Sequence, residues 1–459
     1  MEPGSWLAWP TPFDGMSPRK EATVRTLRFL VAALANSLAA AAFAQTQLTI
    51  ATVNNGDMII MQRLSKQFEQ ANPDIKLNWV VLEENVLRER VTTDIATKGG
   101  AFDILTIGTY ETPIWGKKGW LLPFDDLPQG YDVDDLLKPI RDALSADGKL
   151  YALPFYGESS FTFYRKDLFD KAGGMPEKPT YADLTKLLPK VHDPKNGVYG
   201  LCLRGKPGWG ENMAYVDTLV NTFGGRWFDM EWKPQLTSPA WKEAINWYVT
   251  NLRKYGPPGV TANGHNENRA LLATGKCALW IDATVAAGYI SNPKESQVAD
   301  KVAYAVAPVG KVPNGAQWLW SWALGIPAST KHPREAKAFA QWATSKEYIQ
   351  LVAKTEGWTA VPPGTRRSTY EQQEYLKAAP FAKLTLQAIQ QADPAHPSAE
   401  PVPYTGVQYV GIPEFQSLGT YVGQQLAAAL AGRTSVDAAL RNSESFVQRT
   451  MQRAGYYEK

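Results

Sequence analysis

Cysteine is scarce: Cys202 and Cys277 are the two in 459 residues, and no CxxC pair exists to support redox chemistry. Histidine is nearly as rare. His192, His265, His332 and His396 are scattered, and none has a partner at metal-ligand spacing, so no metal centre is expected. An excess of one charge is also missing. Lys and Arg total 48 against 45 Asp and Glu, and a net +3 gives no electrostatic case for nucleic acid. The first strand–helix turn carries no GxG stretch, so a nucleotide cofactor has no cradle. Internal repeats, low-complexity tracts and long linkers are absent, and a long apolar run occurs once, near the amino terminus.

That run reads as an export leader. Arg19, Lys20, Arg25 and Arg28 form a basic region, "FLVAALANSLAAAAFA" (29–44) the apolar region, and Ala42-Phe43-Ala44 a small-x-small cleavage site. Residues 1–44 are therefore expected to be removed, with Met16 an alternative start. Sixteen apolar residues are short for a membrane span, and no cysteine follows the cut to carry a lipid. In an oxidising compartment the two cysteines can form a disulfide; two buried thiols are the alternative.

The remaining length exceeds one ordinary core, and two domains are expected. The chain opens as strand, helix, strand, helix, strand: "QLTIATV", "DMIIMQRLSKQFEQA", "IKLNWVVL", "ENVLRERVTTDIATK", "FDILTIG". Such an order starts a parallel α/β sheet, whose ligands bind beyond the carboxyl ends of the strands. Those ends carry Asn54-Asn55, Glu83-Glu84 and Thr109-Tyr110-Glu111. "LPFYGESSFTFYRKDLF" (153–169) looks like a strand entering a second lobe. Ser238-Pro239 and Gly256-Pro257-Pro258-Gly259 frame a helix. "ENRALLATGKCALWIDAT" predicts a helix, a stop at Gly275 and a strand toward Asp282. Near the end, Thr434 with Asp437 three residues on predicts a helix start.

The densest aromatic stretch is "QWLWSWALGIP" (317–327). Trp318, Trp320 and Trp322 alternate, which on a strand places them on one face. Such a face is either a core wall or an aromatic floor for a ligand.

In this order the segments "LTIATV…LSKQFEQANPDIKLNWVV", "FDILTIGTYETPIWGKKGWLLPFDD", "LPFYGESSFTFYRKDLFDKAGG", "ATGKCALWIDAT" and "WALGIPASTKHPREAKAFAQWATS" resemble bacterial extracellular solute-binding proteins of carbohydrate ABC importers. The likeness spans nearly all of the mature chain. "TVNNGD", "FYGESS" and "WLWSWALGIP" are most similar to the branch that binds sorbitol and mannitol. The resemblance implies a two-lobe periplasmic-binding-protein fold of type II, each lobe a β-sheet flanked by helices, with hinge strands between. Lobe one would hold 45–155 and about 300–355, lobe two 156–299 and about 356–459. It implies capture of a small neutral polyol or sugar in the periplasm by hinge closure. A monomer would deliver that ligand to membrane permease subunits, with the ATPase engaged indirectly. No catalysis and no cofactor follow from it.

A polyol presents a hydroxyl on every carbon and apolar CH edges between them. Its pocket needs carboxylate and amide acceptors, Arg and Asn donors, and aromatic faces. The residues so placed are Asn55, Glu83, Tyr110, Glu111, Glu158, Arg204, Trp209, Asp282, Trp318, Trp320 and Trp358, with Trp322 left to the core. Each also has a plainer reading: a turn for Asn55, a helix start for Glu83, an exposed loop for Arg204 and Trp209. Two rivals remain. One is a binder of mono- or oligosaccharides. The other is a secreted glycoside hydrolase using Glu158 and Asp282 as its carboxyl pair.

Overall fold

The computed structural model describes residues 45–457, so the leader expected at 1–44 lies outside the described residues. Ten short strands run β1 (Thr46–Val53), β2 (Ile75–Leu82), β3 (Ile104–Ile107), β4 (Ser145–Ala146), β5 (Lys149–Leu150), β6 (Ala152–Glu158), β7 (Ser160–Arg165), β8 (Leu279–Ala283), β9 (Val302–Val306) and β10 (Trp320–Gly325). Strands β2-β1-β3-β10-β6 form one sheet in that order, β8-β7-β9 a second, and β4-β5 a small hairpin. β1 and β3 are parallel, with Ile50 opposite Ile104, while β10 runs antiparallel to both β3 and β6.

Local chemistry explains the first sheet. Leu48, Ile50, Ile104 and Leu105 are fully buried, so these strands have no solvent face, as expected for a sheet covered on both sides. β1 stops where Asn55 caps the helix Gly56–Leu64, its side-chain oxygen accepting from the Met58 amide at 3.0 Å. The single helix expected over 57–71 is two, Gly56–Leu64 and Lys66–Ala71, divided at Ser65. Ser65 donates its hydroxyl back to the Gln62 carbonyl at 2.8 Å, satisfying a terminal acceptor of the first helix.

The stretch 153–169 is not one strand. β6 closes the first sheet, Ser159 breaks it, and β7 becomes the centre strand of the second. The chain returns from the second sheet to the first between β9 and β10. β9 was expected with the first lobe, but it pairs with β7, Phe161 opposite Val306, so the return begins past residue 306. Polar side chains grip this return segment. Ser160 Oγ donates to the Ala316 carbonyl at 2.8 Å, and Gln408 donates to the Leu319 carbonyl at 2.8 Å.

Around the second sheet, the helix Asn212–Thr222 is buried at every position; Pro239–Tyr255 and Phe415–Leu430 pack beside it, and Val436–Arg453 packs on those two. A helix buried all round belongs to the middle of a core. The last helix starts one residue later than expected, because Ser435 rather than Thr434 accepts from the Ala438 amide, at 3.1 Å. Cys202 and Cys277 are bonded, their Cα atoms 6.2 Å apart, tying the loop that follows residue 202 to the approach of β8. Among the described residues no helix is long and apolar enough to cross a membrane.

Candidate functional site

A cleft lies where the two sheets meet, beyond the carboxyl ends of β1, β2 and β6. It has two connected parts. The outer part, about 140 Å³, is lined by Asn55, Glu83, Glu84, Tyr156, Glu158, Arg204, Lys206, Glu211, His265, Asn266 and Trp322 among others. The inner part, about 40 Å³, shares Glu84, Glu158, Arg204 and Trp322, and adds Arg88, Trp209, Trp318, Trp320, Gln408 and Tyr409.

Two arginines organise it. Arg204 makes a paired contact with Asp282, Nε to Oδ2 at 2.8 Å and Nη2 to Oδ1 at 2.7 Å, and donates from Nη1 to the Gly210 carbonyl at 2.8 Å. Its guanidinium lies 5.6 Å from the centre of the Trp318 ring. Arg88 donates to Glu111 at 2.9 Å and to Glu84 at 2.7 Å, and sits over three ring faces, Trp209 at 4.0 Å, Trp322 at 4.7 Å and Trp320 at 4.9 Å. A desolvated cation over an indole is worth ~2 kcal/mol or more.

The carboxyls divide into used and unused. Asp282 is fully buried and accepts from five donors: Arg204 Nε and Nη2, His265 Nδ1, Trp280 Nε1 and the Ala283 amide. Burial alone would raise its pKa, but Arg204 and then His265 outweigh burial and hold it well below the usual carboxylate range. Since an ionised Asp282 only accepts, His265 must carry its proton on Nδ1. Burial lowers the His265 pKa, so the neutral ring leaves Nε2 as an acceptor at the cleft wall. Glu158 differs from Asp282. It is 5% exposed, lines both parts of the cleft, and no described residue hydrogen-bonds its carboxyl. Burial pushes its pKa well up, with Arg204 opposing. Glu211 is similar: Oε2 is buried without a partner, Lys206 stands 3.5 Å from Oε1, and burial raises the carboxyl to about 8.

Four expected residues do not line the cleft. Tyr110 is buried and donates to the Ile412 carbonyl at 2.8 Å. Glu111 spends one oxygen on Arg88 and the other on the Gly108 amide at 2.9 Å. Asp282 is saturated behind the wall, and Trp358 sits on a short turn, Trp358–Ala360, away from both parts. Tyr110 and Glu111 stand one layer back at the start of the helix Glu111–Lys117, and Asp282 on the buried strand β8. Glu83 reaches only the rim, where it caps the helix Glu84–Thr97 and pairs with Lys206 across the opening. Its neighbour Glu84, one step round the helix, points inside. Asn55 does both jobs considered for it: it caps a helix and donates from Nδ2 to the Tyr156 hydroxyl at 3.0 Å in the cleft.

The tryptophans also divide differently. Trp318 precedes β10, and Trp320 and Trp322 lie on it, with a register shift after Trp322. Trp322 was expected in the core, yet it borders both parts of the cleft, edge-on to Trp320 with ring centres 5.4 Å apart. The bulge follows the aromatic face instead of splitting it. A side chain at position 108 would collide with the Trp320 ring, so Gly108 is what lets that ring lie flat on β3. Glu84 was placed at a strand end but passed over for Glu83, and Arg88, Tyr156, Lys206, Glu211, His265, Asn266, Gln408 and Tyr409 were not among the expected site residues. Of these, Glu84 at a strand end and Glu211, an acid inside "GWGEN", carried a signal that could have found them.

Burial raises Glu158 and Glu211, so the cleft offers carboxyls that can donate as well as accept. Unused carboxyls, a neutral imidazole, amides and indole faces suit a neutral molecule dense in hydroxyls. The hydrolase reading fails on geometry, because Asp282 has no face in the cleft to serve as the second carboxyl.

Two sheets joined by crossing strands around such a cleft define a two-lobe α/β ligand-binding protein. The sequence profile described as "Bacterial extracellular solute-binding protein" matches residues 55–350, and the chain belongs to that family. It is 57% identical over 410 residues to the mannitol-binding protein of Pseudomonas aeruginosa, covering 89% of this chain and 94% of that one. A crystal structure of an ABC transporter solute-binding protein from Agrobacterium vitis S4, with bound D-mannitol, superposes with a TM-score of 0.89 at 57% identity, over 90% of this chain and 100% of the other. Maltose-bound MalE3 of T. maritima shares the fold at a TM-score of 0.76 and 20% identity, over 88% and 100% of the two chains. The first two of these relatives are named as binding proteins, not enzymes.

Proposed function

We propose that this protein captures a sugar alcohol of the mannitol or sorbitol type and hands it to the permease of an ABC importer. The observation that carries the reading is Glu158: a buried carboxyl lining a cavity it shares with four tryptophans, unclaimed by any described residue. Leaving such a group unpaired is costly, and a hydroxyl offers it a hydrogen bond. The 57% identity to a mannitol-binding protein and to a mannitol-bound structure supports the same reading.

In this reading, lobe one comprises 45–158 and about 320–355, and lobe two comprises 160–306 and about 356–459. The chain acts as a periplasmic monomer after loss of the leader at 1–44. Arg204, Glu211 and His265 come from lobe two; Asn55, Glu84, Arg88 and Glu158 come from lobe one. A ligand touching both sets favours the closed arrangement by its differential affinity.

The test is a thermal-shift and calorimetric screen of residues 45–459 against mannitol, sorbitol, ribitol, glucose and maltose. A polyol at 100 times its Kd should stabilise the fold by about 2.7 kcal/mol. Glu158→Ala should abolish the shift while the apo protein still melts cooperatively. Silence with both hexitols, or a shift confined to a hexose or maltose, rejects the polyol reading.

A further inference from the structure

The cleft does not end at the polyol site. Asn55, Tyr156, His265 and Val285 also form one wall of a second chamber. That chamber measures about 400 Å³, nearly three times the 140 Å³ of the outer part of the cleft. Both lobes build it. Asp57 and Arg63 come from the first helix of the first sheet, and Arg269, Tyr289 and Asn292 from the β8 side. The chamber therefore opens and narrows with the site itself.

Its lining is chemically specific. Arg63 is paired with Glu356 at 2.6 Å, which fixes a donor and an acceptor at the wall. The Arg269 guanidinium lies over the Tyr289 ring at 4.3 Å. Asp57, half-buried, faces the same space. Paired ions, tyrosine faces and an aspartate are the groups that hold a sugar ring, through its hydroxyls and its CH face. The first cavity has the same kit and is already matched to a linear polyol. The Asn55–Tyr156 hydrogen bond stands on the boundary, so a single layer of side chains separates the two cavities.

The geometry points to a second subsite, Asp57–Arg63–Arg269–Tyr289, which accepts a sugar ring carried on the terminal carbon of the bound alditol. The protein then takes glycosyl-alditols as well as free hexitols. This rests on the polyol reading of the first cavity and deepens it.

The experiment compares mannitol with 1-O-α-D-glucopyranosyl-D-mannitol by titration calorimetry, in the wild-type protein and in Asn292→Trp and Arg269→Met. Asn292 is partly exposed, so a tryptophan there fills the chamber without entering a packed core. In the wild type the glucosyl-mannitol should bind within about tenfold of mannitol. In each variant its affinity should fall by about tenfold or more, while mannitol changes by less than about twofold. Circular dichroism melts confirm folding, and mannitol binding in each variant is the internal control. Failure of the wild type to bind glucosyl-mannitol while it binds mannitol overturns the chamber's assignment and leaves the polyol reading standing. Retained glucosyl-mannitol affinity in both variants also overturns it, because the ring must then lie elsewhere. If neither ligand binds the wild type, the polyol reading falls and takes the subsite with it.

Discussion

Arg88 and Arg204 are near-twins in the cleft with different work. Each is held by a buried carboxylate, Glu111 or Asp282, and each lies against indole. Arg204 is satisfied within its own lobe, by Asp282 and the Gly210 carbonyl. Arg88 reaches across: its anions lie on the first-sheet side, yet its nearest ring face is Trp209, from the loop that follows Cys202. The same residue type thus serves once as a fixed wall and once as a bridge. Carboxylate saturation marks the difference. Asp282 holds five donors and Glu111 two, so one anchor is rigid in all directions and the other only along the guanidinium.

The comparison is broken most forcefully at the rigid anchor. Asp282→Ala leaves Arg204 buried without its counter-ion, and urea melts should show a loss of about 3–5 kcal/mol with no measurable polyol binding. Because the Asp282 carboxyl is held low, its contribution is complete above the unfolded pKa of about 3.9 and fades as pH falls below it. Asp282→Asn should therefore flatten the acid limb of a stability–pH curve, and an unchanged acid limb would show that the anchor is not ionic.

Arg88→Met tests the bridge. Polyol affinity should drop by about ten- to a hundredfold, and scattering of the ligand-free protein should show a more open envelope. Arg88→Lys should rescue little, since an ammonium cannot serve two carboxylates and three ring faces at once. Full rescue by lysine would reduce Arg88 to a point charge.

Glu211 shares the outer part of the cleft with Arg204 and Lys206, and its effect is smaller. Its carboxyl is raised to about 8, so the stability it allows is complete below the unfolded value of about 4.3 and is lost as pH rises toward 8. Glu211→Gln should melt higher than wild type at pH 8 and close to it at pH 5. Equal differences at both values would contradict a carboxyl whose charge is disfavoured by burial.

The smallest effect is expected at the rim. Lys206 and Glu83 pair across the opening, but both are partly exposed, and such pairs contribute about 0.2–1 kcal/mol. Lys206→Met should speed ligand release a few-fold in stopped-flow traces and leave the melting temperature nearly unchanged.

The opening strand–helix alternation was readable because every strand is bounded by a chemical stop: Asn54-Asn55-Gly56, Asn72-Pro73, Gly99-Gly100. The site was readable only by neighbourhood. Glu83 and Glu84 differ by about 100° around one helix, and a helix start does not say which of two adjacent acids turns inward. Asp282 was singled out because an acid at the end of an apolar strand demands partners, but pattern cannot say whether those partners are ligand or protein. Here they are protein. Gln408 and Tyr409 come from an irregular loop whose position depends on contacts more than eighty residues away in sequence, such as that with Leu319, and no local period announces them.

A last consequence follows from the break at Ser159. Glu158 is the final residue of β6 and pairs opposite Trp320, while Ser160 already belongs to the other sheet. The cleft's deepest acceptor therefore sits beside the pivot, where any swing of the halves has almost no lever arm, whereas Glu83 and Lys206 sit far out where the travel is greatest. An arriving guest finds the basement furnished and the doorway moving. Mutations near Ser159 should chiefly alter how often the door shuts, and those at the rim how long it stays shut.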